Sequence, residues 1–305
     1  MKFSTILVAV AASAANAQRP TNVSICDYYT TALLKENTAE NQLTLLTLLV
    51  NTVVIGNYTA PNVGVKVPGI LAPGHINGKA VNLLPYFNGQ LASTNTGGPH
   101  GESVNFLDGG GAAPLMKNKP ANEESSRQYF LLTHLYQFFG SLLSCSHQGM
   151  PGFPAYGGRA SLYQVHKFMA LDNAELTYFI QQIALAAQSF GVAASDIEIV
   201  GNALSNAFGM RCATPATVIK AQGPQLQAIC IESDCPLAKN ASCGLYEAVV
   251  EPSAKSNSTA TMDSHSTVMA TATQPTTVPS AGAGTLHCLN GAAVAAVVGV
   301  AAFAV

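Results

Sequence analysis

The imidazole of His166 is the first candidate in this sequence for a chemical role. It follows Leu162-Tyr163-Gln164-Val165 in a chain that is 48% hydrophobic and only 10% charged. A lone histidine in apolar surroundings is normally a core residue whose ring is hydrogen-bonded to a backbone carbonyl, but a neutral imidazole is also a common metal ligand. Its role therefore depends on the elements that surround it.

A second group of candidate ligands lies in the glycine-rich stretch 97–111. His100, Glu102 and Asp108 are close together there and could bind a metal ion, but turn formation explains Gly-Pro-His-Gly and Asp-Gly-Gly-Gly equally well. The chain has no GxSxG nucleophile elbow, HExxH zinc helix or Walker loop. The signatures of common hydrolases and nucleotide-binding proteins are therefore missing.

The two ends of the chain carry the signals of a secreted, lipid-anchored protein. Residues 1–17 combine a lysine, an apolar run and Ala15-Asn16-Ala17, which has the form of a signal-peptidase site. Residues 285–305 end in an uncharged tail from Gly291, and small residues at 280–282 precede it, as in a GPI-attachment signal. A true membrane span is the alternative, but the tail is short and no basic residue follows it. We expect a cell-surface protein that meets the membrane only through a GPI anchor.

Secretion gives meaning to the sequons and the cysteines. Four Asn-x-Ser/Thr sequons, at Asn22, Asn57, Asn240 and Asn257, should mark surface positions. Of seven cysteines, Cys288 would be removed with the tail, which leaves six and predicts three disulfides. The six are Cys26, Cys145, Cys212, Cys230, Cys235 and Cys243. We expect Cys230, Cys235 and Cys243 to pair among themselves or with Cys212; a zinc cluster is the less favoured alternative in an oxidising compartment.

Composition divides the mature chain into three parts. Residues 18–213 hold the helical patterns, residues 214–250 form a cysteine-containing extension, and residues 251–284 are rich in Ser, Thr, Ala and Pro. The last segment cannot bury enough apolar surface to offset its ordering entropy, so we predict a disordered, O-glycosylated stalk. With 16 acidic and 14 basic residues, the chain has no basic footprint for nucleic acid.

Four helices are predicted in residues 26–213, which indicates an all-α domain. They cover residues 39–55, residues 126–145, a segment after the capping box Asp172-Asn-Ala-Glu175, and a segment after a second such box, Ser195-Asp-Ile-Glu198. The second helix should present a wide apolar face that begins at Phe130. Residues 56–82 and 88–125 are rich in Gly, Pro and Asn, and loops of this length are often functional or capping segments.

The order of features from Thr133 to Val192 resembles the truncated haemoglobins, the short globins with a reduced helical fold. The matching features are Phe138-Phe139, the segment Tyr156-Gly-Gly-Arg159, His166 at the end of Leu-Tyr-Gln-Val-His, Phe179, and Gly191-Val192. Upstream, Leu84-Pro-Tyr-Phe87 looks like the segment of that family whose Phe stacks on the haem. The family's distal tyrosine has no counterpart on the 42–55 helix, where Asn51 is the nearest polar candidate, and the two long insertions are absent from the family.

The resemblance implies a globin-like fold that binds one haem b through His166. The iron would take the imidazole as its axial ligand, between two apolar helical faces. The implied lining residues are Phe87, Leu131, His134, Leu135, Phe138, Tyr156, Val165, Met169 and Phe179. His134 falls at the haem edge near a propionate, with a sixth-ligand role as the alternative, and Leu131 and Leu135 face the ligand pocket.

The sequence thus predicts an extracellular haem-binding protein for gas or haem handling, or for redox sensing, with a diatomic gas as an expected partner. The alternative is a cofactor-free glycosylated cell-wall or adhesion protein on the same scaffold. A haem-dependent peroxidase is a further option, but it requires a distal His or Arg, which Leu131 and Leu135 do not provide.

Overall fold

Helix α2 (Ala39–Ile55) has packing neighbours on several sides and organises the fold. In the computed structural model, which describes residues 19–254, it contacts α1, α5 and α7, while α7 also packs against α8. The other helices are α1 (Ile25–Leu34), α3 (Leu84–Phe87), α4 (Ala112–Leu115), α5 (Arg127–Leu142), α6 (Leu162–His166), α7 (Asn173–Ser189) and α8 (Ala194–Phe208). The mainly helical class predicted from the sequence is confirmed.

Local signals at the helix starts explain most of these bounds. The side chains of Thr38, Ser126 and Asp172 accept backbone N–H hydrogen bonds at the starts of α2, α5 and α7, and Asp172 and Glu175 complete the predicted capping box. The box predicted at Ser195 is wrong. Helix α8 begins two residues earlier than that box requires, after Ala193, which makes no side-chain cap.

One β-hairpin departs from the all-α prediction. Strands β1 (Gly74–Ile76) and β2 (Lys79–Val81) pair antiparallel and pack against α7. Asn77 and Gly78 join them with φ angles of 50° and 83°, the left-handed conformations that a tight two-residue hairpin turn requires. The Asn-Gly dipeptide between short apolar runs was the available signal for this hairpin.

Buried amide side chains hold the two long insertions. Gln182 of α7 accepts the backbone N–H of Gly69 at 3.0 Å, and Gln128 of α5 bonds Gly111 through both its oxygen and its nitrogen. Asn51 of α2 donates to the carbonyl oxygen of Leu115 at 3.1 Å. Segments that look like loops in the sequence are thus fixed to the helices by hydrogen bonds from buried side chains.

Three disulfides are present among the described residues, as predicted: Cys26–Cys145, Cys212–Cys243 and Cys230–Cys235. The expectation that Cys230, Cys235 and Cys243 pair among themselves or with Cys212 is confirmed. The Cys26–Cys145 bridge joins α1 to the segment after α5. Multiple disulfides are consistent with an extracellular protein.

The extension 214–250 packs on the helical domain. The backbone N–H groups of Ile229 and Cys230 donate to the carbonyl oxygen of Phe208, at the end of α8. The chain continues against the domain to its last described residues, where Ala92 N–H donates to Ser253 O and Ala254 forms a β-bridge with Leu91. Residues 251–254, assigned to the stalk from composition, are therefore paired with the domain.

Several sequence predictions fall on residues that the structure does not describe. These are the signal peptide 1–17, the stalk beyond residue 254, the attachment signal 285–305 and the sequon at Asn257. The other three sequon asparagines, Asn22, Asn57 and Asn240, are exposed, as predicted. Between residues 19 and 254, no helix has the length and apolar character needed to cross a membrane.

Candidate functional site

His166 is the last residue of α6, a helix of only five residues. Ser161 caps its start by accepting the N–H of Gln164, and the following turn brings Met169 N–H to the carbonyl oxygen of His166 at 2.9 Å. The cap at Ser161 and the turn after His166 together fix the position of this short helix and of the His166 side chain.

The ring of His166 is fixed by a backbone hydrogen bond. Its Nδ1 lies 2.7 Å from the carbonyl oxygen of Leu162, one turn earlier. Because a carbonyl only accepts, Nδ1 is the protonated nitrogen, which leaves Nε2 with a free lone pair in the neutral ring. Burial lowers the pKa of His166 below its usual value, although the Leu162 carbonyl favours the charged form. The ring is therefore neutral at pH 7 and can act as a donor to a metal.

The extension 214–250 positions α6. Ser161 Oγ donates to the carbonyl oxygen of Leu226 at 2.6 Å, and Gln227 accepts the N–H of Leu162 at 3.2 Å. Farther along, Tyr163 lies edge-to-face with Tyr246, with ring centroids 4.6 Å apart. The sequence singled out the segment Leu162–His166 and the extension separately, but it gave no sign that one holds the other.

Helix α5 has two apolar faces with different roles. Leu132, Tyr136 and Phe139 are buried in the core, and Tyr136 donates to Asn51 of α2 at 2.6 Å. The predicted lining residues are on other positions of the helix: Leu131, His134 and Leu135 are half-buried, and Phe138 is buried. Phe130, placed on the apolar face by the sequence, is instead 49% exposed.

The structure brings several of the predicted lining residues together. The Tyr156 ring lies 5.7 Å from Phe138 and 6.2 Å from His134, both in edge-to-face arrangements. Phe87 and Leu131 line one small cavity of about 10 Å³. Met169 and Phe138 belong to the main core, and Phe179 and Leu135 pack against it. Burial lowers the pKa of His134, which favours a neutral ring there as well.

Most of the ten predicted site residues retain part of their accessible surface. Of the ten predicted site residues, only Phe138 and Met169 are buried, and the other eight retain accessible surface without being fully exposed. These eight are Phe87, Leu131, His134, Leu135, Tyr156, Val165, His166 and Phe179.

Asn51 does not supply a free polar group to this region. Its amide nitrogen donates to Leu115 and its oxygen accepts from Tyr136, and the side chain is fully buried. Both ends of the amide are therefore engaged in holding α2, α4 and α5 together. The polar candidate that the sequence offered in place of a distal tyrosine has a structural role.

An acidic network lies beside the turn after His166. Tyr86 donates to the carbonyl oxygen of Met169 at 3.1 Å and lies 3.5 Å from a carboxylate oxygen of Glu175. Burial, with a contribution from the nearby Asp172 charge, raises the pKa of Glu175 to about 7. Burial opposes ionisation of Asp172, but hydrogen bonds from Lys79 and the backbone outweigh it and lower its pKa. The sequence predicted this pair only as a helix cap.

The metal site considered at His100, Glu102 and Asp108 is not assembled. Glu102 accepts a hydrogen bond from Thr96, and Asp108 accepts from the backbone N–H groups of Arg127 and Gln128 at the start of α5. Across residues 19–254, no three His, Cys, Asp or Glu side chains are grouped to hold a metal ion.

The larger apolar cavity lies elsewhere, between α1, α2, α5, α7 and α8. It measures about 60 Å³ and includes none of the ten predicted site residues in its wall. This apolar cavity and the candidate imidazole are therefore different features.

Comparison with known proteins gives no further guide. No protein family, curated protein or solved structure matches the chain. The assignment of function therefore rests on the residues themselves.

Proposed function

We propose that this protein is an extracellular, GPI-anchored haem-binding protein with a globin-like helical domain. The observation that carries the proposal is the state of His166, whose Nδ1 is engaged by Leu162 and whose Nε2 is left free. A histidine that ligates a metal commonly donates its other ring N–H to a carbonyl or carboxylate, which fixes its tautomer and orientation. A core histidine makes the same kind of hydrogen bond to a backbone carbonyl, so the absorbance test below distinguishes the two roles.

The proposed lining residues have the chemistry that a flat apolar group requires. Phe87, Leu131, Leu135 and Phe179 supply half-buried apolar surface, and no described side chain with a formal charge is among the ten proposed site residues. When bound, haem b supplies an iron centre that can bind a diatomic gas or exchange an electron. The protein's part is to donate Nε2, to keep the ring oriented, and to exclude water with Leu131 and Leu135.

The two residues proposed to face the ligand pocket favour gas or haem handling over peroxidase chemistry. Leu131 and Leu135 cannot act as acid or base, and Asn51 is engaged by Leu115 and Tyr136. His134 lies against Tyr156 and has a lowered pKa. We therefore propose gas or haem handling, or redox sensing, as the function.

The test is the absorbance spectrum of the full secreted protein produced with haem supplied. Wild type should show a Soret band, and His166→Ala should lose or shift it. His134→Ala should keep the iron ligated, and the exposed His75→Ala is the matched surface control. Added imidazole should restore the spectrum of His166→Gly, a result that general unfolding would not give. A colourless wild-type protein would leave the cofactor-free wall protein as the better assignment. A His166→Ala spectrum with the wild-type Soret band would overturn His166 as the haem ligand.

A further inference from the structure

We propose that the cavity between α1, α2, α5, α7 and α8 is a second, separate binding site that takes an aliphatic chain. Its wall is built from apolar side chains of all five helices, including Leu46, Phe139 and Ile183. None of the residues that line it carries a charge. The site is independent of the proposed haem ligand, because neither His166 nor any other predicted site residue lines it.

Tyr29 has the one hydroxyl group among the residues that line the cavity, and this hydroxyl is hydrogen-bonded elsewhere. Tyr29 donates to Asp196 at 2.9 Å and accepts the backbone N–H of Ala193 at 2.9 Å, so only its ring is offered to the cavity. Arg19 satisfies the other carboxylate oxygen of Asp196 at 3.0 Å. Water needs two or more polar partners to occupy an internal site. The side chains that line this cavity offer none, which favours an apolar ligand over a polar one.

A glycine in the middle of α8 keeps the space open. Gly201 lines the cavity, and a Cβ added at this position would meet no atom within 4 Å. Glycine in a helix interior is less favourable than alanine by about 1 kcal/mol, and this one has no turn or close contact that requires it. Ala184 and Ala187 of α7 are similarly small residues on the same wall. Glycine is a poor helix former, and here it lies beside an unfilled apolar space. Such a departure from local sequence rules is expected at a binding site.

Size and shape select a chain rather than a ring. The cavity of about 60 Å³ is well below the ~150 Å³ of an engineered apolar cavity that binds benzene. It is not fully enclosed, and half-buried residues such as Ile25, Leu49 and Val200 stand along its wall. An aliphatic chain can place its end inside and lie with its remaining methylenes along these residues.

The experiment uses the full secreted protein and cis-parinaric acid, whose fluorescence rises in apolar surroundings, with dodecanol as an uncharged competitor. Wild type should bind the probe, and dodecanol should displace it. Gly201→Leu should fill the space, raise the melting temperature and weaken binding at least about tenfold, which is about 1.4 kcal/mol. The smaller Gly201→Ala should raise the melting temperature with a lesser loss of binding.

Two controls separate this site from other apolar surfaces. Ala203→Leu adds the same side chain to an exposed position of α8 and should leave binding unchanged. His166→Ala should also leave it unchanged, so that failure of the haem proposal does not affect this one. No probe binding by wild type, equal losses in Gly201→Leu and Ala203→Leu, or loss in His166→Ala with retention in Gly201→Leu would each overturn the proposal.

Discussion

At the scale of single residues, buried ionisable groups set how stability responds to pH. Glu175 is half-buried at the start of α7, and burial raises its pKa from 4.5 to about 7. Between these values the folded protein binds more protons at this site than the unfolded chain, so its contribution lowers the free energy of unfolding as pH rises. The contribution is complete below pH 4.5 and lost above about pH 7. The full shift corresponds to about 3 kcal/mol, and partial solvent exposure reduces that value.

We predict that Glu175→Gln removes this contribution to the pH dependence of the free energy of unfolding. The glutamine keeps the hydrogen bond to the N–H of Asp172. The difference in free energy of unfolding between wild type and variant should decrease steadily from pH 4.5 to about pH 7, then become constant. Urea denaturation across this range measures it, and the exposed Glu198→Gln on α8 is the control. Parallel curves for wild type and Glu175→Gln would show that Glu175 ionises normally in the folded state.

At the scale of elements, hydrogen bonds at helix starts and from buried amide side chains fix where helices begin and where loops lie. Asp172 closes the capping box of α7 and accepts a hydrogen bond from Lys79 of β2 at 2.5 Å. Asp172→Ala should therefore lower the free energy of unfolding by ~1–2 kcal/mol. Ser195→Ala should change it by less than ~0.5 kcal/mol, because Ser195 is exposed and lies inside α8 rather than at its cap. Denaturation of the two variants measures both values; equal losses would contradict the assigned start of α8.

A second element-scale prediction concerns the insertion that Gln182 holds. This side chain is 1% exposed and accepts the N–H of Gly69, so Gln182→Ala leaves a buried backbone group without its partner. The expected cost is ~1–3 kcal/mol, with faster hydrogen exchange at Gly69. Gln188→Ala, farther along the same helix, is the control. Unchanged exchange at Gly69 would show that the insertion is held by other contacts.

At the scale of the whole molecule, the three disulfides restrict the unfolded chain to different extents. Cys26–Cys145 spans 119 residues, Cys212–Cys243 spans 31 and Cys230–Cys235 spans 5. In the chain-entropy account, a loop of about a hundred residues contributes ~4.7 kcal/mol and one of five residues ~2 kcal/mol. The Cys26→Ala/Cys145→Ala double variant should accordingly be less stable than Cys230→Ala/Cys235→Ala. Urea midpoints of the double variants test this order, and a reversed order would show that packing outweighs loop length.

The sequence by itself determined the parts of this protein that depend on near neighbours in the chain. The helix Ala39–Ile55, the Ser126 cap of α5 and the capping box of α7 follow from periodicity and from hydrogen bonds three residues apart. The expected oxidising compartment and the even number of cysteines left after processing likewise predicted three disulfides. These signals are local, so they do not require knowledge of the fold.

Only the tertiary structure decided what lies around the candidate groups. Three hydrogen bonds link residues 113, 85 and 65 positions apart in the chain: Gln182 with Gly69, Tyr136 with Asn51, and Ser161 with Leu226. No sequence period specifies such pairs. The same holds for the apolar cavity, which exists because five helices meet without filling the space over Gly201. Periodicity shows which face of a helix is apolar, but the distances between helices are set by the packing of all of them together.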